Sequence, residues 1–338
     1  MNSRVGCFLR LLVAAVLFCV LLGVGAGLYW YFGPFKGYAG ETFIEINRGT
    51  TTQEIAQTLA HEGVVRSRWA FLAVRALQPG AKLQAGEYRF GSAATPWQVF
   101  NKIRRGEVFY QDVTFPEGSN MFDMAAVLAA TGTVAPKAFL AAAGDPAMIR
   151  DLDPKAASLE GYLFPSTYRL THQSTAAQLC TMMTGEFRKR WKAVVGGDRR
   201  NSEVHDIVTM ASLVEKEAAL PAERPIIASV FENRLRLNML LQCDPTTVYA
   251  ALLENRYRGT IYKSDLTSTN PYNTYTHPGL PPGPICNPGI ASLKAALQPT
   301  QTNYVYFVAK GDGSGAHHFS ATLAEHDQAV AAYRKTSH

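Results

Sequence analysis

With 338 residues, 47% of them hydrophobic and 18% charged, the chain is long and apolar enough to form more than one buried core, which excludes a disordered tail protein. Its net charge of +6 would suit an anionic polymer, whether nucleic acid, membrane surface or cell-wall glycan. The densest basic run, Arg188, Lys189, Arg190 and Lys192, stands beside no RNA-binding or zinc-finger pattern and reads as a solvated helix face, so no nucleic-acid partner is expected.

The first predicted element is a membrane anchor. Arg4 and Arg10 precede an uncharged apolar run at residues 11–32, long enough to cross a hydrocarbon core of ~30 Å as a helix. The positive flank predicts a cytoplasmic N-terminus, with everything after Lys36 on the far side of an inner membrane. A cleaved signal peptide is the rival, with Val24-Gly25-Ala26 as a small-residue cleavage site, but secretory apolar regions usually run only ~7 to 15 residues. Of five cysteines, Cys7 and Cys19 lie in or beside the anchor. Cys180, Cys243 and Cys286 match neither a zinc site nor a disulfide framework, and either one bridge with a leftover thiol or three buried free thiols would fit.

After a Gly/Pro/Lys linker, FIEINRGTTTQEIAQTLAHEG predicts a strand, a turn at Gly49 and an amphipathic helix carrying Ile55, Ala56 and Leu59. VTFPEGSNMFDMAAVLAATG repeats its spacing: Gly118 matches Gly49, Asp123 matches Glu54, Met124 matches Ile55, Ala125 matches Ala56 and Leu128 matches Leu59. GEYRFGSAATPWQVFNKIRRG offers a third, less similar strand-to-helix unit. Units of this size occur in small glycan-binding modules and in ordinary α+β scaffolds. Residues 136–200 read as mostly helical, broken by SLEGYLFPSTYRL, whose Tyr162, Phe164 and Tyr168 could line a sugar groove or pack beneath a loop.

From about Asn201 the composition changes to longer helices separated by proline-rich loops. In TMASLVEKEAAL, Met210, Leu213, Val214 and Glu217 fall at i, i+3, i+4 and i+7, so Glu217 continues an apolar stripe. Glu215 shares another face with Ala211, Ala218 and Ala219, where it is expected to meet solvent and stay ionised. Pro221 stops this helix near Leu220, leaving Glu217 in the last turn. There burial and the negative end of the helix dipole both favour a protonated carboxyl, as a general acid requires. A buried pair between Glu217 and Arg224, Arg234 or Arg236 would have the opposite effect.

The next helix, in ERPIIASVFENRLRL, buries Ile226, Ile227, Val230 and Phe231 and carries the polar Asn233 and Arg234, with Gln242 beyond its end. Asp244-Pro245-Thr246 and Asn287-Pro288-Gly289 both read as caps opening helices. Between them, STNPYNTYTHPGLPPGPIC is a proline-stiffened loop in which Tyr272, Asn273, Thr274 and Tyr275 present the hydroxyls, amides and ring faces that recognise sugars. The C-terminus predicts a hairpin across GDGSG, then a helix opened by the capping box Thr322-x-x-Glu325. His317 and His318 alternate faces, so at most one enters a cleft. No further ligands stand at convincing spacing, and neither a metal nor a cofactor is expected.

The runs MASLVEKEAALPAERPIIASVFENRL, LQCDPTTVYA, PYNTYTHPGLPPGPICNPGIASLKAAL and YVYFVAKGDGSGAHHF resemble the YceG/MltG family of membrane-anchored endolytic murein transglycosylases. EGYLFPSTY and VTFPEG also resemble family motifs, and the likeness covers nearly the whole chain after the anchor. The resemblance implies an α+β chain: a cytoplasmic N-terminus and transmembrane helix (residues 1–36), a small LysM-like βα region (37–135), a helical connecting region (136–200) and a mainly helical catalytic domain with a β-hairpin (201–338). It implies cleavage of peptidoglycan strands between N-acetylmuramic acid and N-acetylglucosamine with a 1,6-anhydro end, alongside the synthases that build the strands. Its catalytic acid falls on the second glutamate of E-K-E, Glu217. Gln242, Tyr272, Asn273, Thr274 and Tyr275, with Asn233 and His317, are then expected to hold the glycan, and Asp244 is the candidate second carboxylate. The competing readings are a hydrolase of the same glycan and a non-catalytic wall-binding scaffold of division.

Overall fold

The computed structural model describes residues 2–196 and 203–336. The side chains of residues 2–11, Arg4, Cys7 and Arg10 among them, lie outside the described residues, as does the expected domain start at Asn201. The fold is α+β with a helical majority, and it divides into two compact units, Met1–Tyr110 and Gln111–His338.

In the first unit α1 (Asn2–Phe32) contains Leu12–Phe32, which has a mean hydropathy of 2.4 and is long and apolar enough to cross a membrane. Then follow β1 (Thr42–Ile46), α2 (Thr52–His61), α3 (Arg68–Ala76), β2 (Gly86–Phe90) and α4 (Pro96–Arg105). β1 pairs antiparallel with β2, from Thr42 opposite Phe90 to Ile46 opposite Gly86. Ile44 and Ile46 from one strand and Tyr88 and Phe90 from the other pack onto Ile55, Leu59, Phe71, Val74, Phe100 and Ile103 of the three helices.

The second unit opens with β3 (Gln111–Thr114), α5 (Met121–Thr131), α6 (Pro136–Ala143) and β4 (Thr167–Leu170), and β3 pairs antiparallel with β4. That pairing runs across the expected boundary at residue 135. A strand needs a hydrogen-bonding neighbour, and β3 finds its own in the segment expected to be a connector. One continuous core then runs through Val113, Met124, Leu128, Phe139, Leu163, Leu170, Phe187, Val208 and Leu293. Tyr162, Phe164 and Tyr168 belong to this core and not to a groove: Tyr162 is fully buried with its hydroxyl donating to Asp153, and the Tyr168 hydroxyl donates to the Phe164 carbonyl.

The two matched strand-to-helix segments close alike. Gly49 and Gly118 both adopt positive φ (89° and 77°), where a side chain is disfavoured. Thr51 with Glu54, and Asn120 with Asp123, then form capping boxes at the starts of α2 and α5. The matched acidic positions are therefore both helix-starting residues.

The remaining helices are α7 (Ala176–Val195), α8 (Val204–Glu217), α9 (Arg224–Arg236), α10 (Asp244–Leu253), α11 (Lys263–Leu266) and α12 (Ile290–Leu297). β5 (Tyr306–Ala309) and β6 (His317–Ser320) pair antiparallel, and α13 (Leu323–Thr336) closes the chain. α8 is the central helix of this unit: all of residues 207–214 are buried, with α9, α10 and α12 packed around it. Cys180, Cys243 and Cys286 are buried free thiols.

Candidate active site

Glu217 is the last residue of α8. The backbone turns extended at Ala218, and Pro221 three residues later prevents resumption of the same helix. Its carboxyl lies in a cleft of about 280 Å³ lined also by Arg234, Leu241, Gln242, Asp244, Tyr275, Phe307 and His326. Burial pushes its affinity for a proton up, and the negative charge of Asp244 adds to that. The Cys243 thiol, which donates to Glu217 Oε1 at 3.1 Å, and His317 act in the opposite direction. No arginine is bonded to it among the described residues.

The buried ion pair considered for Glu217 belongs to Glu215, and the expectation that Glu215 faces solvent is overturned. The Glu215 side chain is only 5% exposed. Arg224 Nη2 donates to its Oε1 at 3.1 Å, and the Gly289 backbone N–H donates to its Oε2 at 2.9 Å. Arg224 also donates through Nε to Ser292 Oγ at 3.0 Å. α8 is covered on more than one face, so leaving the apolar stripe does not mean reaching water. The pair ties the ends of α8, α9 and α12 together behind Glu217.

Of the residues expected to read sugar, three share the cleft with Glu217. Tyr275 donates its hydroxyl to Asp244 Oδ1 at 2.6 Å. Asp244 is not a cap: it is the first residue of α10, the capping position is Cys243, and no side-chain capping bond is made. Gln242 adopts a left-handed backbone (φ 52°), fixed by its N–H to the Thr274 carbonyl, and its side-chain oxygen accepts from Arg234 at 3.4 Å. Such a conformation in a non-glycine residue aims the side chain where an extended backbone would not.

The others lie outside the cleft lining. Asn273 is fully buried, its amide donating to the carbonyls of Asp265, Leu266 and Ser268 while its oxygen accepts from Tyr275 N–H. Thr274 Oγ1 accepts from Cys243 N–H and bonds to Thr246 Oγ1, and Tyr272 packs on Tyr249 with ring centroids 5.1 Å apart. Asn233 spends its amide on the carbonyls of Thr302 and Tyr304. His317 holds Glu223 through Nδ1 at 2.7 Å and meets the Phe307 ring edge-on, outside the cleft lining. Loop side chains with this many donors and acceptors satisfy one another before they reach a ligand.

Sequence reasoning missed three residues and considered a fourth, Arg234, only as an ion-pair partner for Glu217. Arg234 is anchored by Nε to the Val305 carbonyl and by Nη1 to those of Leu240 and Leu241, which fixes a cation on the cleft wall with no carboxylate partner among the described residues. His326 stacks on Tyr306 at 5.0 Å and 18°, its Nδ1 buried without a hydrogen-bond partner among the described residues. Phe307 adds an apolar face. None of the three carries a local pattern that would have marked it.

The last, Glu160, lies in the core of this unit and not in the cleft lining. It is 2% exposed and accepts hydrogen bonds from the Met121 N–H, the Tyr249 hydroxyl and Asn287 Nδ2 at 2.9, 3.1 and 2.7 Å. Burial nevertheless pushes its pKa up to about 8. Asn287, expected to cap α12, instead bridges Glu160, the Ser119 carbonyl and the Leu163 N–H. The Glu215 carboxylate takes the Gly289 N–H that a cap would have held.

Among the described residues no three His, Cys, Asp or Glu side chains converge in a way that could hold a metal ion. What the cleft offers is one carboxyl biased toward its protonated form, one carboxylate bonded to a tyrosine, a fixed cation and apolar ring faces. This set suits proton transfer to the oxygen of a polar, partly apolar substrate.

A model of the YceG-like family matches residues 44–332. The chain is 33% identical over 309 residues to the endolytic murein transglycosylase of Bacillus subtilis (strain 168), covering 86% of this chain and 84% of that protein. It is 28% identical over 317 residues to the endolytic murein transglycosylase of Streptococcus pneumoniae (serotype 2, strain D39), covering 85% of this chain and 57% of that longer protein. The crystal structure of a YceG-like protein from Listeria monocytogenes superposes with a TM-score of 0.56 at 32% identity, covering 85% of this chain and 98% of that one.

Proposed function

The chain belongs to the YceG-like family, and from that premise we propose that it is an endolytic murein transglycosylase, cutting peptidoglycan strands between N-acetylmuramic acid and N-acetylglucosamine and leaving a 1,6-anhydro end. Glu217 protonates the departing glycosidic oxygen. Its carboxylate then takes the proton of the muramoyl 6-hydroxyl as that oxygen closes on the anomeric carbon, so the carboxyl is regenerated and no water is consumed. Asp244, held by Tyr275, faces the positive charge that develops at the anomeric carbon. Gln242, Arg234, His326 and the ring of Phe307 contact the sugars, while Tyr272, Asn273 and Thr274 shape the wall that carries Tyr275.

The observation that carries this reading is the position of Glu217: in the cleft, bonded to no cation among the described residues, its carboxyl kept toward the uncharged form by burial. The presence of Asp244 in the same cleft is what favours the second reading, hydrolysis, in which a second carboxylate would activate water or attack the sugar. Mass spectrometry of digested glycan separates the two, because the hydrolytic product is heavier by one water. Glu217→Gln tests the assignment itself. The variant should fold as the wild type does, by circular dichroism, and lose the anhydro product; a folded variant that cleaves at full rate removes Glu217 from the mechanism.

The strand-to-helix units of the first unit, β1 with α2 and β2 with α4, support a LysM-like region that holds the glycan. The apolar α1 anchors the protein in the inner membrane as a single span, with a cytoplasmic N-terminus and both folded units on the periplasmic side. Peptidoglycan synthases working in that membrane are the expected partners.

A further inference from the structure

Beside the acid stands a thiol that none of this uses. Cys243 Sγ lies 3.1 Å from Glu217 Oε1 and is the hydrogen-bond partner of that carboxyl. The residue is only 2% exposed, and its backbone is held at both ends. Its N–H donates to Thr274 Oγ1 at 3.0 Å, and its carbonyl accepts from Thr246 Oγ1 at 2.7 Å, with the two threonine hydroxyls 2.9 Å from each other. A buried threonine pair thereby fixes the sulfur against one oxygen of the carboxyl, and the other makes no hydrogen bond among the described residues.

Resting on Glu217 as the acid, we infer that Cys243 is its positioning residue: the thiol occupies Oε1, so that the transferable proton sits on Oε2 and the carboxyl cannot rotate away from the cleft. A thiol suits this task because it is a weak donor. A backbone N–H, a hydroxyl or an arginine in the same place would stabilise the charged form more strongly and remove the proton that the reaction needs. Cys243 orients the acid without discharging it. The other ionisable groups around Glu217 are Asp244 at the start of α10, Tyr275 on the loop, Arg234 on α9, His317 on β6 with its partner Glu223, and His326 on α13. Among the described residues none of these groups is hydrogen-bonded to the Cys243 thiol, whose bond goes to Glu217.

The test uses the full-length protein in detergent. The titration of the Glu217 carboxyl is followed by infrared difference spectroscopy, assigned by its loss in Glu217→Gln, beside the pH profile of kcat/KM on glycan strands. Cys243→Ala removes the donor and should move the titration to higher pH by about half a unit to one unit, whereas Cys243→Ser supplies a stronger donor and should move it lower by a similar amount. The basic limb of the profile should follow in each case. Shifts of the same sign, or none, overturn the inference and make Cys243 a filler of space. Should neither variant fold, the S–H stretching band of the otherwise native protein decides: it should move on Glu217→Gln, and an unmoved band overturns the inference. These spectra need no cleavage, so a failure of the transglycosylase reading shows separately, as glycan strands left uncut by the wild type.

Discussion

Replacing Glu160 by glutamine should change how stability depends on pH more than stability itself. In the folded protein burial raises the Glu160 pKa from 4.5 to about 8. A carboxyl whose folded pKa is raised contributes stability that is fully present below its unfolded value and is lost as pH rises through the folded one. The window therefore runs from about 4.5 to 8. Over most of it, from about pH 5 to pH 7.5, the linkage amounts to roughly 3 kcal/mol. Glutamine does not titrate. It also turns an amide toward one of the three donors that meet at this site, which adds a cost of about 1 to 3 kcal/mol that does not vary with pH.

The quantity to measure is the difference in unfolding free energy between wild type and Glu160→Gln across that range. Denaturant titrations of the full chain in detergent, read by fluorescence, supply it, since Trp191 is the one tryptophan beyond residue 110 and is buried in the same unit as Glu160. The wild type should lose stability relative to the variant as pH rises. A difference that stays flat would mean that three converging hydrogen bonds outweigh burial, and that Glu160 is an ordinary ionised carboxylate.

Two further outcomes follow from the packing behind the cleft. Arg224→Ala strands the buried Glu215 carboxylate and should lower stability by about 3 to 5 kcal/mol in thermal denaturation, with Glu215→Gln in the same chain recovering part of the loss. Gly161 has φ 87°, and a Cβ there would lie 2.5 Å from Pro284 Cγ and 2.9 Å from Val208 Cγ1. Gly161→Ala should therefore cost about 3 kcal/mol or more, since strain and overpacking act together, and a melting temperature within a degree of wild type would refute this.

Glu217 was legible in the sequence because its position depends on two local facts, the period of a helix and the proline that ends it. The matched segments around Gly49 and Gly118 were legible for the same reason: a left-handed glycine, a cap and an apolar triplet are all short-range features. Glu215 was misread because a stripe argument assumes one covered face, while α8 is wrapped by three helices. Asp244 and Asn287 were misread as caps because each lies just before or within the first turn of a helix, yet their bonds go to Tyr275, 31 residues away, and to Leu163 and Ser119, 124 and 168 residues away. Arg234 and His326 reach the cleft by tertiary packing alone, which no spacing rule records. The loop rich in tyrosine and asparagine divides for a related reason, with Tyr275 facing the cleft and Asn273 consumed in holding the loop's own backbone.

The bridge made by Asn287 also bears on how the molecule comes into being. It fastens stretches near Ser119, Glu160 and Leu163 that are separated from it by most of the second unit. Ribosomes deliver a polypeptide from its beginning, so this fastener arrives late, and Phe307 and His326 arrive later still. An emerging chain that still lacks Asn287, Phe307 and His326 has neither that fastener nor a complete lining for the Glu217 cleft.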